Sequence, residues 1–439
     1  MRSIWTMNKE IKNKVLLLIG DVFFLYLSLF FVLLIRYRGI PQSPSLKDFF
    51  LYFSWLFLLW LFFLWMFDFY SLKLRAGSLE FFRFLSIFIF LCLLSGALYF
   101  YLQPNLPVSP KAIFILDIVI FFLFFVGWRY FFDFVFQKRT KKEKVLILGN
   151  PPEIEDLLFF LKKFPSYYTV KVIPEIDKEK LLEISDILKK ENPQKIIIAN
   201  HLEFLANISF FSHIPIESFA HFYEEITQKV ALSALNDVRF LEDFYKSEER
   251  SYVILKRIFD IFLSLIGLLI LGVLFPFIAL AIKLDSPGPV FFTQERVGKK
   301  RKVFCFYKFR SMYASPREKT DLWREKDKKE ITKVGRFLRL THLDELPQVI
   351  NILKGDISFV GPRPEWKKIA EKLEKDIPFY FLRYRVQPGL SGWAQINIPP
   401  STSIQEAKEK FQYDLYYLKH RSFLFDLVIF LKSLRKIFG

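Results

Sequence analysis

The first third of the chain alternates long apolar runs with short polar stretches. Val15–Ile35 carries one charge, Asp21; Phe49–Phe67 and Phe84–Leu102 carry none; Ala112–Trp128 carries Asp117 and leads into a largely apolar stretch ending at Phe136. At about 1.5 Å per helical residue, each run is long enough to cross a hydrocarbon core of about 30 Å. Four such runs leave too little polar surface to cover them as core helices, so residues 1–140 are expected to form a four-helix transmembrane domain. With the N-terminus inside, the inner segments hold Arg2, Lys9, Lys12, Lys14, Lys73, Arg75, Lys138, Arg139, Lys141 and Lys142. The outer loops hold only Arg36, Arg38, Lys47 and Lys111. That asymmetry favours an inside N-terminus. Asp21 and Asp117 fall near the ends of their runs, where water is expected to reach them.

The pattern then changes. Val145–Gly149 reads as a buried strand, Glu153–Phe164 has helical spacing, Thr169–Ile173 is strand-like, Lys178–Lys190 helical, and Lys195–Ala199 a strand again. This alternation predicts a small doubly wound, Rossmann-like α/β domain over 141–226. Its first turn, Gly149-Asn150-Pro151-Pro152-Glu153, argues against a dinucleotide. It has one glycine, two prolines without N–H groups, and an acid where phosphate would lie. Residues 227–255 read as a linker.

Ile258–Ile282 is a fifth run long enough to span, but basic residues flank it on both sides: Lys256-Arg257 before and Lys283 after. Crossing would carry a strongly basic final third outside. Pro276 removes a helical hydrogen bond, and Gly267 and Gly272 loosen the run. A re-entrant helix over 258–282, broken at Pro276, is expected instead.

Composition agrees with a chain that is part membrane, part water-exposed. Of 439 residues 52% are hydrophobic, 55 are Phe, and yet 25% are charged. The hydrophobic share excludes disorder, and the charged share excludes a chain lying wholly in lipid. The formal net charge of +18 fits cytoplasmic loops facing anionic headgroups; no nucleic-acid-binding motif accompanies it. Two cysteines, Cys92 and Cys305, give no disulfide framework.

The final third is dense in motifs. Lys256-Arg257-Ile258-Phe259-Asp260 is followed by Asp285-Ser286-Pro287-Gly288-Pro289, Gln294-Glu295-Arg296-Val297-Gly298 and Tyr307-Lys308-Phe309-Arg310-Ser311-Met312. Next come Gly335-Arg336-Phe337-Leu338-Arg339, Leu343-Asp344-Glu345-Leu346-Pro347-Gln348, Asn351 and Lys354-Gly355-Asp356. Val360-Gly361-Pro362-Arg363-Pro364 and Gln387-Pro388-Gly389-Leu390-Ser391-Gly392-Trp393-Ala394-Gln395 close the series. Over about 256–426 it resembles the bacterial sugar transferase family, the monotopic-type polyprenol phosphate phosphoglycosyl transferases. The four spans and α/β domain are similar in architecture to the larger undecaprenyl-phosphate sugar-1-phosphate transferases.

The resemblance implies a catalytic domain over 256–439, α/β in class, at the cytoplasmic face of a bacterial inner membrane. It implies transfer of sugar-1-phosphate from a UDP-sugar to undecaprenyl phosphate with release of UMP, as the first membrane step of polysaccharide or glycoconjugate assembly, such as that of exopolysaccharide, O-antigen or capsule. It implies Asp344 as nucleophile, forming a phosphoryl-aspartate, and Glu345 as its partner and ligand to Mg²⁺. Two departures stand out: Phe275 precedes Pro276 where the family often has Ser, and His342 replaces a small residue before Leu343-Asp344-Glu345.

The residue chemistry supports these roles. Phosphoryl transfer needs charge neutralisation above all, and Mg²⁺ favours one or two carboxylates plus phosphate oxygens. Asp344 is expected to cap a helix through Val349–Leu353, whose N-terminus would seat phosphate. Arg339 and Arg363 are candidates for forking onto a diphosphate. Lys308 and Arg310 are further candidate phosphate contacts. Gln387, Pro388, Gly389, Trp393 and Gln395 are expected to shape the nucleotide site. Glu365–Arg385 and Ser422–Phe438, which mix aromatic and basic residues, are expected at the membrane interface. The lipid bilayer is thus a partner, and a homo-oligomer stays open. The rival readings are a membrane glycosyltransferase releasing UDP, although no Asp-x-Asp occurs in the chain, and a non-catalytic scaffold for polysaccharide assembly.

Overall fold

The computed structural model describes residues 3–39, 46–70, 76–102, 110–137, 143–162, 168–174, 188, 190–199, 214–236, 242, 244, 250–313 and 330–438. Of the expected helix at 178–190 only 188 and 190 are described, and the basic flanks at 138–142 lie outside the described residues.

The apolar runs form four helices, α1 (Ser3–Tyr37), α2 (Leu46–Met66), α3 (Leu79–Leu102) and α4 (Pro110–Phe132). All four are long and apolar enough to cross a membrane. Their shared core is aromatic: Trp60, Phe53, Phe57, Phe88, Phe121 and Phe125 are buried together. Rings pack edge-on or tilted, as for Phe88 against Phe122 and Trp60 against Phe121. Asp21 and Asp117 are not at water-reachable ends. Both are fully buried, Asp21 bonded at 2.6 Å to Arg129 on α4 and Asp117 accepting from Ser28 on α1 at 2.7 Å. A carboxylate in hydrocarbon needs a partner, and α1 and α4 supply each other's.

The α/β domain is built on β1 (Glu143–Leu148), α5 (Ile154–Lys162), β2 (Tyr168–Ile173), β3 (Lys195–Ile198), β4 (Ile216–Ser218) and α6 (Phe219–Thr227). The strand order is β2-β1-β3-β4, with β1–β3 and β3–β4 parallel. This is the doubly wound arrangement. Glu153, at the turn after β1, accepts from Ser233 through both its backbone N–H and its hydroxyl.

The fifth run lies within α7 (Arg250–Asp285), a 36-residue helix with Pro276 inside it. Helical structure continues through Pro276, so no gap opens there. The proline forgoes the bond to the carbonyl of Gly272, a glycine with open space around it. One face of α7 is apolar and exposed along its length: Ile258, Phe262, Leu265, Leu269, Val273, Phe277, Leu280 and Leu284. The other face packs on the C-terminal domain, with Leu271, Ile278 and Ile282 against Phe309, Leu338 and Val349.

The C-terminal domain then follows: β5 (Phe291–Val297) and β6 (Val303–Phe309) as an antiparallel hairpin, α8 (Lys333–Leu340), a 3₁₀ helix (Leu343–Gln348), α9 (Val349–Lys354), β7 (Ser358–Val360), α10 (Lys367–Asp376), another 3₁₀ helix (Tyr380–Arg385), β8 (Gly389–Ser391), α11 (Trp393–Asn397), α12 (Ile404–His420) and α13 (Phe423–Phe438). Its main core gathers Tyr380, Leu382, Phe411, Leu415, Trp393 and Ile429. Parts of the two segments expected at the membrane interface reach this core. Tyr380–Arg385 buries four of its side chains, and α13 buries Asp426 and Ile429. Lys229, fully buried between the rings of Phe160 and Tyr413, ties α5 of the α/β domain to α12 through Asp156 (3.0 Å) and Glu409 (2.6 Å).

Candidate active site

The site grows from the stretch after α8. Thr332 caps α8 by accepting from the N–H of Gly335. Gly335 must be glycine because a Cβ there would strike the carbonyl of Ser311. The chain leaves α8 through His342, whose backbone is left-handed (φ +55°), and enters the 3₁₀ helix carrying Asp344 and Glu345. Asp344 does not cap α9. It lies inside the 3₁₀ helix, and α9 starts after Gln348, which makes no side-chain cap bond. Pro347 lacks an N–H and favours the tight turn that delays the α-helix.

Asp344 is buried. Burial raises its carboxyl above the usual range, Lys308 pulls it back, Glu345 adds to the rise, and Arg339 and His342 oppose it. Glu345 is different. Burial would raise it, but Arg363 and Lys308 more than offset this and hold it well below the usual carboxylate range. Lys308 Nζ (2.5 Å) and Arg363 NH2 (2.7 Å) both donate to Glu345 Oε1, and neither takes Oε2. Lys308 comes from β6 and Arg363 from the loop after β7. Three elements therefore meet at one carboxylate.

Two adjacent carboxylates, with one oxygen of Glu345 outside the Lys308 and Arg363 bonds, fit a hard cation that takes its remaining ligands from phosphate and water. Among the described residues no larger cluster of metal-binding side chains occurs.

The other expected site residues separate. Arg339 stays close, its Nε donating to Ser311 Oγ at 2.9 Å and its charge felt at Asp344. Arg310 lies elsewhere. Its buried guanidinium donates to the carbonyls of Ile282, Ser286 and Pro287, closing the C-terminus of α7. It is a helix cap, with no donor directed at the carboxylates. Gln387, Pro388 and Gly389 frame the Arg363 loop from below. Gln387 donates to the carbonyl of Gly355, Ser358 N–H donates to the carbonyl of Pro388, and Gly389 N–H donates to that of Pro362. A Cβ on Gly389 would collide with the backbone of Gly361. Trp393 is buried away from the carboxylates, its indole N–H on the carbonyl of Gln228 and its ring against Phe425. Gln395 donates to the carbonyl of Leu390.

Several residues with strong roles carried no assigned role in the sequence. Arg257 donates to the carbonyls of Ile352 and Leu353, satisfying the end of α9. Asp260 accepts from Ser358 Oγ and Phe359 N–H, and Lys256 reaches Asp426 and the carbonyl of Val360. Asn351 splices α9 to β6, accepting from Tyr307 N–H and donating to the carbonyl of Cys305. Their signal was membership of the motif series, and the i, i+3 spacing of Arg257 and Asp260 places both on one side of a helix.

A model of the bacterial sugar transferase family matches residues 251–439. A putative undecaprenyl-phosphate N-acetylgalactosaminyl 1-phosphate transferase of Bacillus subtilis is 42% identical over 147 residues, 33% of this chain and 82% of that protein. The chain belongs to the bacterial sugar transferase family. Within this family, a UDP-N-acetylgalactosamine-undecaprenyl-phosphate N-acetylgalactosaminephosphotransferase of Aeromonas hydrophila is 36% identical over 234 residues, 53% of this chain and 54% of that protein. The chain thus spans about half the length of that relative. Galactosyl transferase CpsE of Streptococcus agalactiae is 28% identical over 415 residues, 84% of this chain and 89% of that protein.

Proposed function

We propose that this family member transfers sugar-1-phosphate from a UDP-sugar to undecaprenyl phosphate, releasing UMP, at the cytoplasmic face of a bacterial inner membrane. The observation that carries the reading is the Asp344-Glu345 pair. One carboxyl is buried and makes no ion pair among the described residues, and its neighbour is held ionised by Lys308 and Arg363.

In this reading Asp344, once deprotonated, attacks the phosphorus that bears the sugar. The bond from that phosphorus to the UMP oxygen breaks and UMP leaves. An oxygen of undecaprenyl phosphate then attacks the same phosphorus, and the Asp344 acyl-phosphate bond breaks, restoring the carboxylate. Lys308, Arg339 and Arg363 supply positive charge where the diphosphate would lie, and Arg363 adds a planar fork. Glu345 would hold Mg²⁺, with Asp344 beside it; bound there, the ion neutralises phosphate charge and eases departure of UMP. The substrates in the names of the Aeromonas hydrophila and Bacillus subtilis relatives support the class of donor and acceptor. The exposed apolar face of α7 supports a site at the headgroup plane, where a polyprenol phosphate presents its charge.

The test is purified protein with undecaprenyl phosphate and a panel of UDP-glucose, UDP-galactose and their N-acetylated derivatives. UMP release is expected with one or more donors. UDP release would assign a glycosyltransferase, and release of neither nucleotide a scaffold for polysaccharide assembly.

A further inference from the structure

The Arg363 loop has an unusual backbone. In Pro362-Arg363-Pro364 only Arg363 has an N–H, so the segment has little to donate and must be fixed through its carbonyls. Each of those carbonyls has a donor. Pro362 accepts from Gly389 N–H at 2.9 Å, Arg363 from Arg383 NH2 at 2.8 Å, and Pro364 from Arg296 NH1 at 3.0 Å. The next carbonyl, of Glu365, accepts from Val297 N–H at 3.1 Å. Two of the four donors are guanidinium groups that could have been spent on substrate.

Arg383 is the better anchored of the two. It is buried, 4% exposed, and Asp414 on α12 accepts from its NH2 at 3.0 Å. Glu365 lies 3.6 Å from its NH1, Tyr380 takes a hydrogen bond from the same nitrogen, and Lys410 pairs with Glu365. The charges within this group are matched: two carboxylates face two cations. Charge-assisted bonds to a carbonyl are stronger and shorter than neutral ones, and here one lands on the very residue whose side chain meets Glu345.

We propose that Arg383 is a positioning residue for Arg363: with Asp414 behind it, it fixes the main chain from which the Arg363 guanidinium reaches the reacting phosphate. It touches neither carboxylate of the Asp344-Glu345 pair and acts through the carbonyl of Arg363. This rests on the phosphoglycosyl transfer reading, in which Arg363 binds the donor diphosphate.

The test is a double-mutant cycle on the full chain, with UMP release from radiolabelled donor as readout. In the native background Arg383→Gln is expected to lower kcat/KM by about 100-fold, the scale of a misplacement near 1 Å, and Arg383→Lys, which retains charge and one donor, by less. In the Arg363→Ala background the same Arg383→Gln change is expected to cost less than about threefold, because nothing remains to be positioned. Equal losses in both backgrounds would assign Arg383 to general stability and overturn the proposal. If Arg383→Gln does not fold, Asp414→Asn runs the same cycle with a smaller expected loss and the same criterion. Native protein that releases no UMP with any donor would instead sink the underlying reaction.

Discussion

His342 turns the chain left-handed two residues before Asp344, at φ +55° and ψ 13°. A side chain in that region costs about 1–2 kcal/mol, and glycine or asparagine bears it best. His342 therefore holds a strained backbone conformation. His342→Val is expected to lower the melting temperature by several degrees and His342→Gly to hold or raise it; an unchanged Val melt would remove the strain argument. At Asp344 the identity of the residue was legible in the sequence, but its environment was not. The helix-capping expectation failed because Pro347 keeps the segment 3₁₀, and burial replaces capping as the governing term. A carboxyl raised by burial contributes stability when protonated and loses it as pH rises through its folded pKa. Asp344→Asn removes that charge, so at pH 7 the variant is expected to melt no lower than native while losing UMP release. Near-normal turnover by the folded variant would refute the nucleophile. Glu345→Gln is expected to cut activity and shift its Mg²⁺ titration to higher concentration, and an unshifted midpoint would take the ion away from Glu345.

At the scale of elements, periodicity read the transmembrane helices and the parallel strands well, because each has one repeating pattern of burial. It gave no sign that parts of 365–385 and α13 reach into the core. Alternating aromatic and basic residues look alike whether they lie on lipid headgroups or in a core where cations stack on rings, as Arg383 does over Tyr380 at 4.9 Å. The buried ionic group beneath the Arg363 loop has no periodic signature, since its members come from the loop, a 3₁₀ helix and α12. Its contribution can be measured by pH. For Glu365, burial pushes the carboxyl up, and Lys410 and Arg383 together bring it down from 4.5 to about 2. A depressed folded pKa gives stability that is present above the unfolded value and is lost as pH falls through the folded one, here on the order of 3 kcal/mol. Glu365→Gln is therefore expected to melt lower than native at pH 7. The gap should narrow as pH falls from about 4.5 toward 2, where native Glu365 is itself neutral. A gap that stays constant over that window would show that Glu365 acts through packing and not through its charge.

At the scale of the whole molecule, the placement of α7 decides where catalysis can occur. Its flanking charges suggested in the sequence that both ends lie on one side; the structure adds a stronger reason. Near its start, Arg257 is bonded to the carbonyls of Ile352 and Leu353, and at its end Asp285 accepts from Val334 N–H at 2.8 Å. The chain joining those two anchor points contains Arg336, Arg339, His342, Asp344 and Glu345. If α7 crossed a hydrocarbon core of about 30 Å, the anchors would sit on opposite faces, and this charged stretch would have to run through lipid at a cost of several kcal/mol per charge. The opposite arrangement avoids that cost: apolar side chains from Ile258 to Leu284 would face the hydrocarbon, and the other face of α7 rests on the C-terminal domain. Residues near Lys256 and near Asp285 are therefore expected on the same, cytoplasmic side. The measurement is impermeant thiol labelling of intact cells carrying single cysteines at those two places, in a background lacking buried Cys92 and exposed Cys305. Both sites should resist label until the cells are permeabilised. Labelling of the Asp285 site from outside would break the bond between α7 and α8 inferred above, and with it the position of Asp344 at the inner headgroup plane.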